Sequence, residues 1–121
     1  MNWIRPVKRL AIYLRDGMAC AYCGDGVESG AKLTLDHILP HSTGGCNSEK
    51  NLVTACHKCN SSRGNRDLGE FCEKVPSYLN HGIMGQDIIA HVETTRNRAL
   101  DIQGAQALIE RRGGFTAALK N

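Results

Sequence analysis

Two pairs of cysteines have the spacing of metal ligands. Cys20 and Cys23 enclose two residues, and Cys56 and Cys59 repeat this spacing after 32 intervening residues. Both sulfurs of a C-x-x-C knuckle can reach one ion, and two such knuckles supply four thiolates to a tetrahedral zinc. Because four thiolates leave no open position for water, the predicted ion is structural rather than catalytic. Its binding adds directly to folding stability.

Other assignments of these cysteines are open at this point. Two disulfides, four unrelated thiols or an iron–sulfur centre are the alternatives, and His57 inside the second knuckle is a substitute ligand. The N-terminal segment has charges but no apolar core of a secretory signal, so the chain is predicted to be cytoplasmic, where cysteines bind metal more often than they form disulfides. Cys46 and Cys72 have no such partner and are predicted to be buried or free thiols.

A carboxylate and an imidazole stand side by side at Asp36-His37. They end an alternating segment that predicts a strand over 33–38. Adjacent strand residues point to opposite faces, so both can serve one site only if the strand bends or ends there. Pro40 and the pair Gly44-Gly45 favour an early end.

The elements around this pair predict a strand–strand–helix unit. A second short strand is expected at the segment LVTA, and a helix starts near Cys59-Asn60. A zinc clamp at the base of this unit makes Asn60 a candidate for the same cleft as Asp36 and His37.

Further helices are predicted on both sides of this unit. Apolar spacing predicts one over 5–15, whose cations belong to a solvated face or contact nucleic acid. A short helix broken near Pro76 follows the unit. Two more helices, or one long helix, are expected over 86–113, with Asp101 as a cap and Gly113 as a stop.

Length and charge set limits on the class of protein. A chain of 121 residues suggests one domain, and it contains no apolar stretch of the roughly 20 residues that span a bilayer. The net charge is +3, and all of it lies in residues 1–67, where nine Lys and Arg face six Asp and Glu. This bias permits binding to phosphate backbones but does not establish it.

The order and spacing of these residues closely resemble those of the HNH nuclease family in its zinc-knuckle form. The resemblance covers residues 15 to about 67. It implies an α+β fold with a small ββα-metal (His-Me finger) core, clamped by the four-cysteine zinc site and flanked by helices. The matching residues are Arg15-Asp16, Cys20, Cys23, Asp36-His37-Ile38, Pro40, Gly44-Gly45, Asn47, Asn51-Leu52, Cys56, Cys59 and Asn60.

The resemblance also implies roles for four polar residues. His37 corresponds to the general base, and Asp36 binds the catalytic divalent cation. Asn51 corresponds to the residue that holds the loop orienting the histidine. Asn60 completes the catalytic metal site, so the chain is similar to the H-N-N variety.

These residue types suit phosphodiester hydrolysis on chemical grounds alone. The reaction needs an attacking water, a base, and a group that offsets charge on the leaving oxygen. A neutral imidazole is an effective base near neutral pH, and a carboxylate with an amide oxygen suits Mg²⁺ or Mn²⁺. His41, Arg63 and Arg66 are further candidates for contacts with the DNA backbone.

The resulting hypothesis is a metal-dependent HNH endonuclease that cleaves DNA and leaves 5′-phosphate and 3′-hydroxyl ends. The alternative is a non-catalytic, zinc-stabilised module that binds nucleic acid or protein, which has no need of Asp36, His37 and Asn60. Residues 1–67 are expected to hold the N-terminal helix and the nuclease core. A mainly helical extension, residues 68–121, is expected to pack on the core, form a homodimer or bind a protein partner. Small proteins of this family often occur in phages and mobile elements.

Overall fold

A hairpin followed directly by a helix forms the centre of the computed structural model, which describes residues 4–40, 44–64, 66–79 and 85–119. Strand β1 (Leu33–His37) pairs with β2 (Leu52–Cys56), and α2 (His57–Arg63) continues from β2. The α+β class and the ββα unit are therefore confirmed. The other helices are α1 (Pro6–Arg15), α3 (Leu68–Leu79), α4 (Gly85–Arg96), α5 (Ile102–Arg112) and α6 (Phe115–Ala118).

Helices cover both faces of the hairpin. The strands are antiparallel, and His37 pairs with Leu52 at the end of the ladder. On one face, Val53 belongs to a buried cluster with Phe71 of α3 and Val92 of α4. On the other face, Leu52 packs with buried residues of α1. An isolated two-stranded hairpin is marginal in water, so these helices supply the core that keeps it folded.

A buried ion pair joins α1 to β2. Arg15 Nε lies 2.6 Å from Asp16 Oδ1, and both side chains are 1 % exposed. The Arg15 guanidinium also donates to the Leu52 carbonyl at 2.7 Å, and Asp16 Oδ2 accepts the Thr54 N–H at 2.8 Å. Because Arg15 is buried among these partners, it does not serve as the nucleic-acid contact that was one interpretation of the α1 cations.

The predicted break near Pro76 is wrong, because α3 runs on to Leu79. Proline has no N–H, so the Cys72 carbonyl four residues earlier lacks its helical donor at that position. Packing outweighs this loss: Phe71 and Cys72 are fully buried, and α4 begins at Gly85 so close to the Cys72 carbonyl that a Cβ would collide with it.

Helices α4 and α5 are separate, so the alternative of one long helix is wrong. The Asp101 side chain accepts the Gly104 N–H at 2.8 Å and caps α5. Gly113 ends that helix in the left-handed region, with a φ of 89°. Both predicted boundary residues of α5 are confirmed.

The helices after residue 67 pack against the N-terminal half. The Phe71 ring meets the Tyr22 ring edge-on, with centroids 5.0 Å apart. Ala105 of α5 and Ala118 of α6 pack with Leu10 of α1. The division at residue 67 stays a prediction. Within the described ranges, none of the helices combines the length and apolar character needed to cross a membrane.

Candidate active site and metal centre

The four paired cysteines converge on one point. Their sulfurs lie within 4.8 Å of one another, and Cys23 Sγ is 3.7 Å from Cys56 Sγ. A zinc with four Zn–S bonds of about 2.3 Å places its sulfurs about 3.8 Å apart, so the cluster has the dimensions of a tetrahedral metal site. A disulfide needs about 2.05 Å, and all four cysteines are free, so the disulfide alternative is wrong. His57 is exposed and lies outside the cluster.

The surroundings of the sulfurs favour bound thiolates. The N–H groups of Tyr22 and Cys23 point at Cys20 Sγ, and the Cys59 N–H points at Cys56 Sγ. A hydrogen bond from the Cys59 thiol lowers the pKa of Cys20 to about 5, whereas burial raises the pKa of Cys23 to about 12. The neighbouring sulfurs of Cys20 and Cys56 also raise the pKa of Cys23, and a cation bound between the sulfurs would offset this effect.

The other two cysteines are free thiols, as predicted. Cys72 is fully buried, and burial raises its pKa to about 11. Cys46 is exposed.

Asp36 is a buried carboxylate with one oxygen fully engaged. Its Oδ2 accepts hydrogen bonds from the Tyr22 hydroxyl and from Arg63 Nη1, each at 2.5 Å. Burial, followed by the Asp36 charge, raises the pKa of Tyr22 well above 10. The hydroxyl therefore keeps its proton and donates a hydrogen bond to the carboxylate. Within the described residues Oδ1 has no partner, and it is not among the buried unsatisfied atoms. This second oxygen is the one that can reach a ligand.

Arg63 is the counterion of Asp36 and not a surface cation. The residue is 1 % exposed, and its Nη1 also donates to the Tyr22 hydroxyl and to the His37 carbonyl. Burial alone would lower the pKa of Arg63, but the neighbouring Tyr22 and Asp36 oxygens outweigh burial and raise this pKa above its ordinary value. The predicted DNA contact at Arg63 is therefore wrong. Its remaining N–H groups donate to the carbonyls of Ile38 and Arg66.

Replacing Arg63 by methionine is expected to destabilise the fold by about 3–5 kcal/mol, because Asp36 is left charged and unpaired in the interior. Urea unfolding of the metal-loaded protein measures this loss. Arg66→Met is the matched control, since Arg66 is exposed three residues later, and it should change stability by less than about 0.5 kcal/mol. Equal stabilities of the two variants would contradict the role of Arg63.

Asn60 is anchored to β1 by one end of its amide. Its Nδ2 donates to Thr34 Oγ1 at 2.8 Å and to the Leu35 carbonyl at 3.2 Å. Thr34 and Asp36 are two residues apart on the strand and share a face. The amide oxygen of Asn60 has no partner within the described residues and is not among the buried unsatisfied atoms. One carboxylate oxygen and one amide oxygen are thus available at this face of β1.

Asn51 closes the loop that follows His37. Its Oδ1 accepts the Leu39 N–H at 2.8 Å, and its Nδ2 donates to the carbonyls of Leu39 and Cys46. Gly45 approaches the Leu39 carbonyl so closely that a Cβ would collide with it. The glycine and Asn51 together fix where the chain turns after β1.

His37 is the last residue of β1 and is half-buried. Its Nε2 lies 2.8 Å from Asn47 Oδ1. Asn47 belongs to the matching motif, but the sequence assigned it no role, because its partner is visible only in three dimensions. His41 lies outside the described residues.

Comparisons with known proteins agree with this geometry. The family model described as HNH endonuclease matches residues 20–66. The chain is 34 % identical over 88 residues to the CRISPR-associated endonuclease Cas9 of Corynebacterium diphtheriae, which covers 72 % of the chain and 8 % of that protein. It is 35 % identical over 69 residues to the Cas9 of Actinomyces naeslundii, which covers 56 % of the chain and 6 % of that protein.

The chain spans less than a tenth of the length of these two relatives. The family match includes the four clustered cysteines together with Asp36, His37, Asn51 and Asn60. Residues 20–66 thus form a domain of the HNH endonuclease family.

Proposed function

We propose that this chain is a metal-dependent endonuclease that hydrolyses DNA and leaves 5′-phosphate and 3′-hydroxyl ends. One observation carries the proposal. The face of β1 that carries Thr34 and Asp36 offers an oxygen of Asp36 and an oxygen of Asn60 with no other partner in the described part of the chain, and His37 ends the same strand. A module that only binds nucleic acid has no need of this set.

His37 is proposed as the general base. A neutral imidazole takes the proton of the water that attacks the scissile phosphorus, and the bond from phosphorus to the 3′-oxygen breaks. The Asp36 and Asn60 oxygens would hold a hard cation such as Mg²⁺ or Mn²⁺, which when bound offsets the charge on the leaving oxygen. Arg63 neutralises part of the Asp36 charge and orients its carboxylate. With only two protein ligands, we expect weak cation binding in the absence of DNA.

The four-sulfur cluster is proposed to hold a structural zinc. The sulfur spacing fits a closed tetrahedral site, and the first knuckle is joined to β2 by a hydrogen bond from the Ala21 N–H to the Thr54 carbonyl. Zinc in this position clamps the knuckle to the strand that leads into α2. Metal analysis of purified protein distinguishes zinc from iron.

The DNA substrate is proposed to lie along the positively charged N-terminal half. Arg66 is exposed just after α2 and remains a candidate for a backbone contact, as does His41. Residues 68–121 have no net charge, and a second copy of the chain or a protein partner is proposed to bind there.

Cleavage of supercoiled plasmid tests the proposal. Zinc-loaded protein freed of other metals should convert the plasmid to nicked or linear forms after Mg²⁺ or Mn²⁺ is added, and not before. The products should be sealed by a DNA ligase without prior phosphorylation. Asn60→Ala should need a higher Mg²⁺ concentration for the same rate, whereas Asn97→Ala, an exposed amide beyond α4, should behave as wild type. Failure to cleave with every divalent cation would overturn the proposal.

A further inference from the structure

Cations from outside the family match hold the loop between β1 and β2. Lys8 Nζ of α1 donates to the Asn47 carbonyl at 3.0 Å, and Arg15 donates to the Glu49 carbonyl at 2.8 Å. From the other side, Arg96 of α4 donates to the Lys50 carbonyl at 2.6 Å. The three cations bind main-chain carbonyls of the loop. They therefore fix where the side chains of the loop lie.

One side chain of this loop meets the imidazole at the end of β1. Asn47 Oδ1 lies 2.8 Å from His37 Nε2, and an amide oxygen can only accept a hydrogen bond. The shared proton must therefore be on Nε2. In the neutral ring the other nitrogen, Nδ1, is then the basic one.

We propose that Asn47, held at its carbonyl by Lys8, is a positioning residue that fixes the tautomer of His37 and directs Nδ1 as the base. The inference rests on the proposed function of His37. Asn47 acts through the imidazole and does not itself touch the reacting atoms. The contact from Lys8 also gives α1, which lies outside residues 20–66, a part in arranging the site.

The tautomer can be read directly from the nitrogen-15 chemical shifts of the histidine side chains in zinc-loaded protein without DNA. Wild-type His37 should show a single Nε2–H tautomer. In Asn47→Ala it should become a mixture like that of the exposed His57 in the same spectrum. Asn47→Asp, which keeps an acceptor oxygen at this position, should retain the single tautomer and shows that the acceptor, not the fold, is what matters.

Cleavage provides the second measurement. Asn47→Ala should lower kcat about 10–100-fold with an unchanged KM for DNA, as expected when the partner that orients a functional histidine is removed. Lys8→Met should act in the same direction with a smaller effect. The matched controls Asn97→Ala and Lys74→Met remove an exposed amide and an exposed ammonium group outside the N-terminal half and should leave kcat unchanged.

Different results would overturn the positioning role of Asn47 and the proposed nuclease function. If wild type cleaves and Asn47→Ala keeps both the tautomer and kcat, the positioning role is overturned and the nuclease stands. If wild type does not cleave, the nuclease is overturned, and with it the catalytic part of the inference. The chemical shifts still decide in that case whether Asn47 sets the tautomer.

Discussion

Replacing His37 by alanine is expected to slow DNA cleavage by about 10²- to 10⁴-fold, the usual contribution of a general base. The variant keeps the oxygens of Asp36 and Asn60, so cation binding should survive while the attacking water loses its proton acceptor. His37 is half-buried, and its carbonyl, which accepts from Arg63, is unaffected by the substitution. Stability and metal content should therefore stay close to wild type. Initial rates of plasmid nicking measure the effect.

His91→Ala is the matched control for that experiment. His91 is an exposed histidine on α4, outside the candidate site, so its removal should leave the nicking rate unchanged. A His37→Ala protein that is folded, metal-loaded and as active as His91→Ala would show that the base is another group. It would also remove the reason for a tautomer-fixing role at Asn47.

The core of the fold could be predicted because its signals are local. The C-x-x-C spacing, the alternation before Asp36 and the caps of α5 each depend on residues a few positions apart. The prediction of a helix break at Pro76 was wrong because the packing of Phe71 and Cys72 against α4 outweighs the local preference of proline against a helix interior. Long-range packing is what a pattern of neighbouring residues does not contain.

The candidate site shows the same difference between local patterns, which the sequence contains, and long-range contacts, which it does not. The motif identified Asp36, but its counterion lies 27 residues away on α2, and nothing in the spacing pairs the two. Arg63 had the character of a surface cation because arginine is rarely buried, and only the folded chain shows that its donors are used internally. The same limit applies to Asn47, whose acceptor role depends on a loop held by Lys8 and Arg96.

The buried Arg63 also binds the main chain at the end of β1. Its guanidinium donates to the Asp36 carboxylate, to the His37 carbonyl and to the Ile38 carbonyl. The Ile38 N–H donates to the Asn51 carbonyl at 2.8 Å, so the chain still lies beside the start of β2 at this point. One side chain of α2 thus binds both the Asp36 carboxylate and the main chain that follows it.

Loss of the sulfur-bound metal is expected to have the largest effect on stability. Structural zinc contributes an apparent 10–16 kcal/mol in zinc-finger peptides, about as much as the whole stability of a small domain, roughly 5–15 kcal/mol. Cys59→Ser should therefore lose the bound metal and unfold. Three of the four ligands share the buried cluster with Phe71 and Val92, so the loss should extend to α3 and α4. Metal analysis and thermal unfolding followed by circular dichroism measure both effects.

Cys46→Ser is the control for replacing a cysteine by serine without removing a metal ligand. Cys46 is an exposed free thiol outside the sulfur cluster, so this variant should keep its metal and its melting temperature. Cys59→Ser should also be inactive in excess Mg²⁺, because α2 carries both Asn60 and Arg63 and begins at the second knuckle. A Cys59→Ser protein that binds no metal yet melts like Cys46→Ser would mean that helix packing alone holds the hairpin, and the sulfur cluster would then have no structural role.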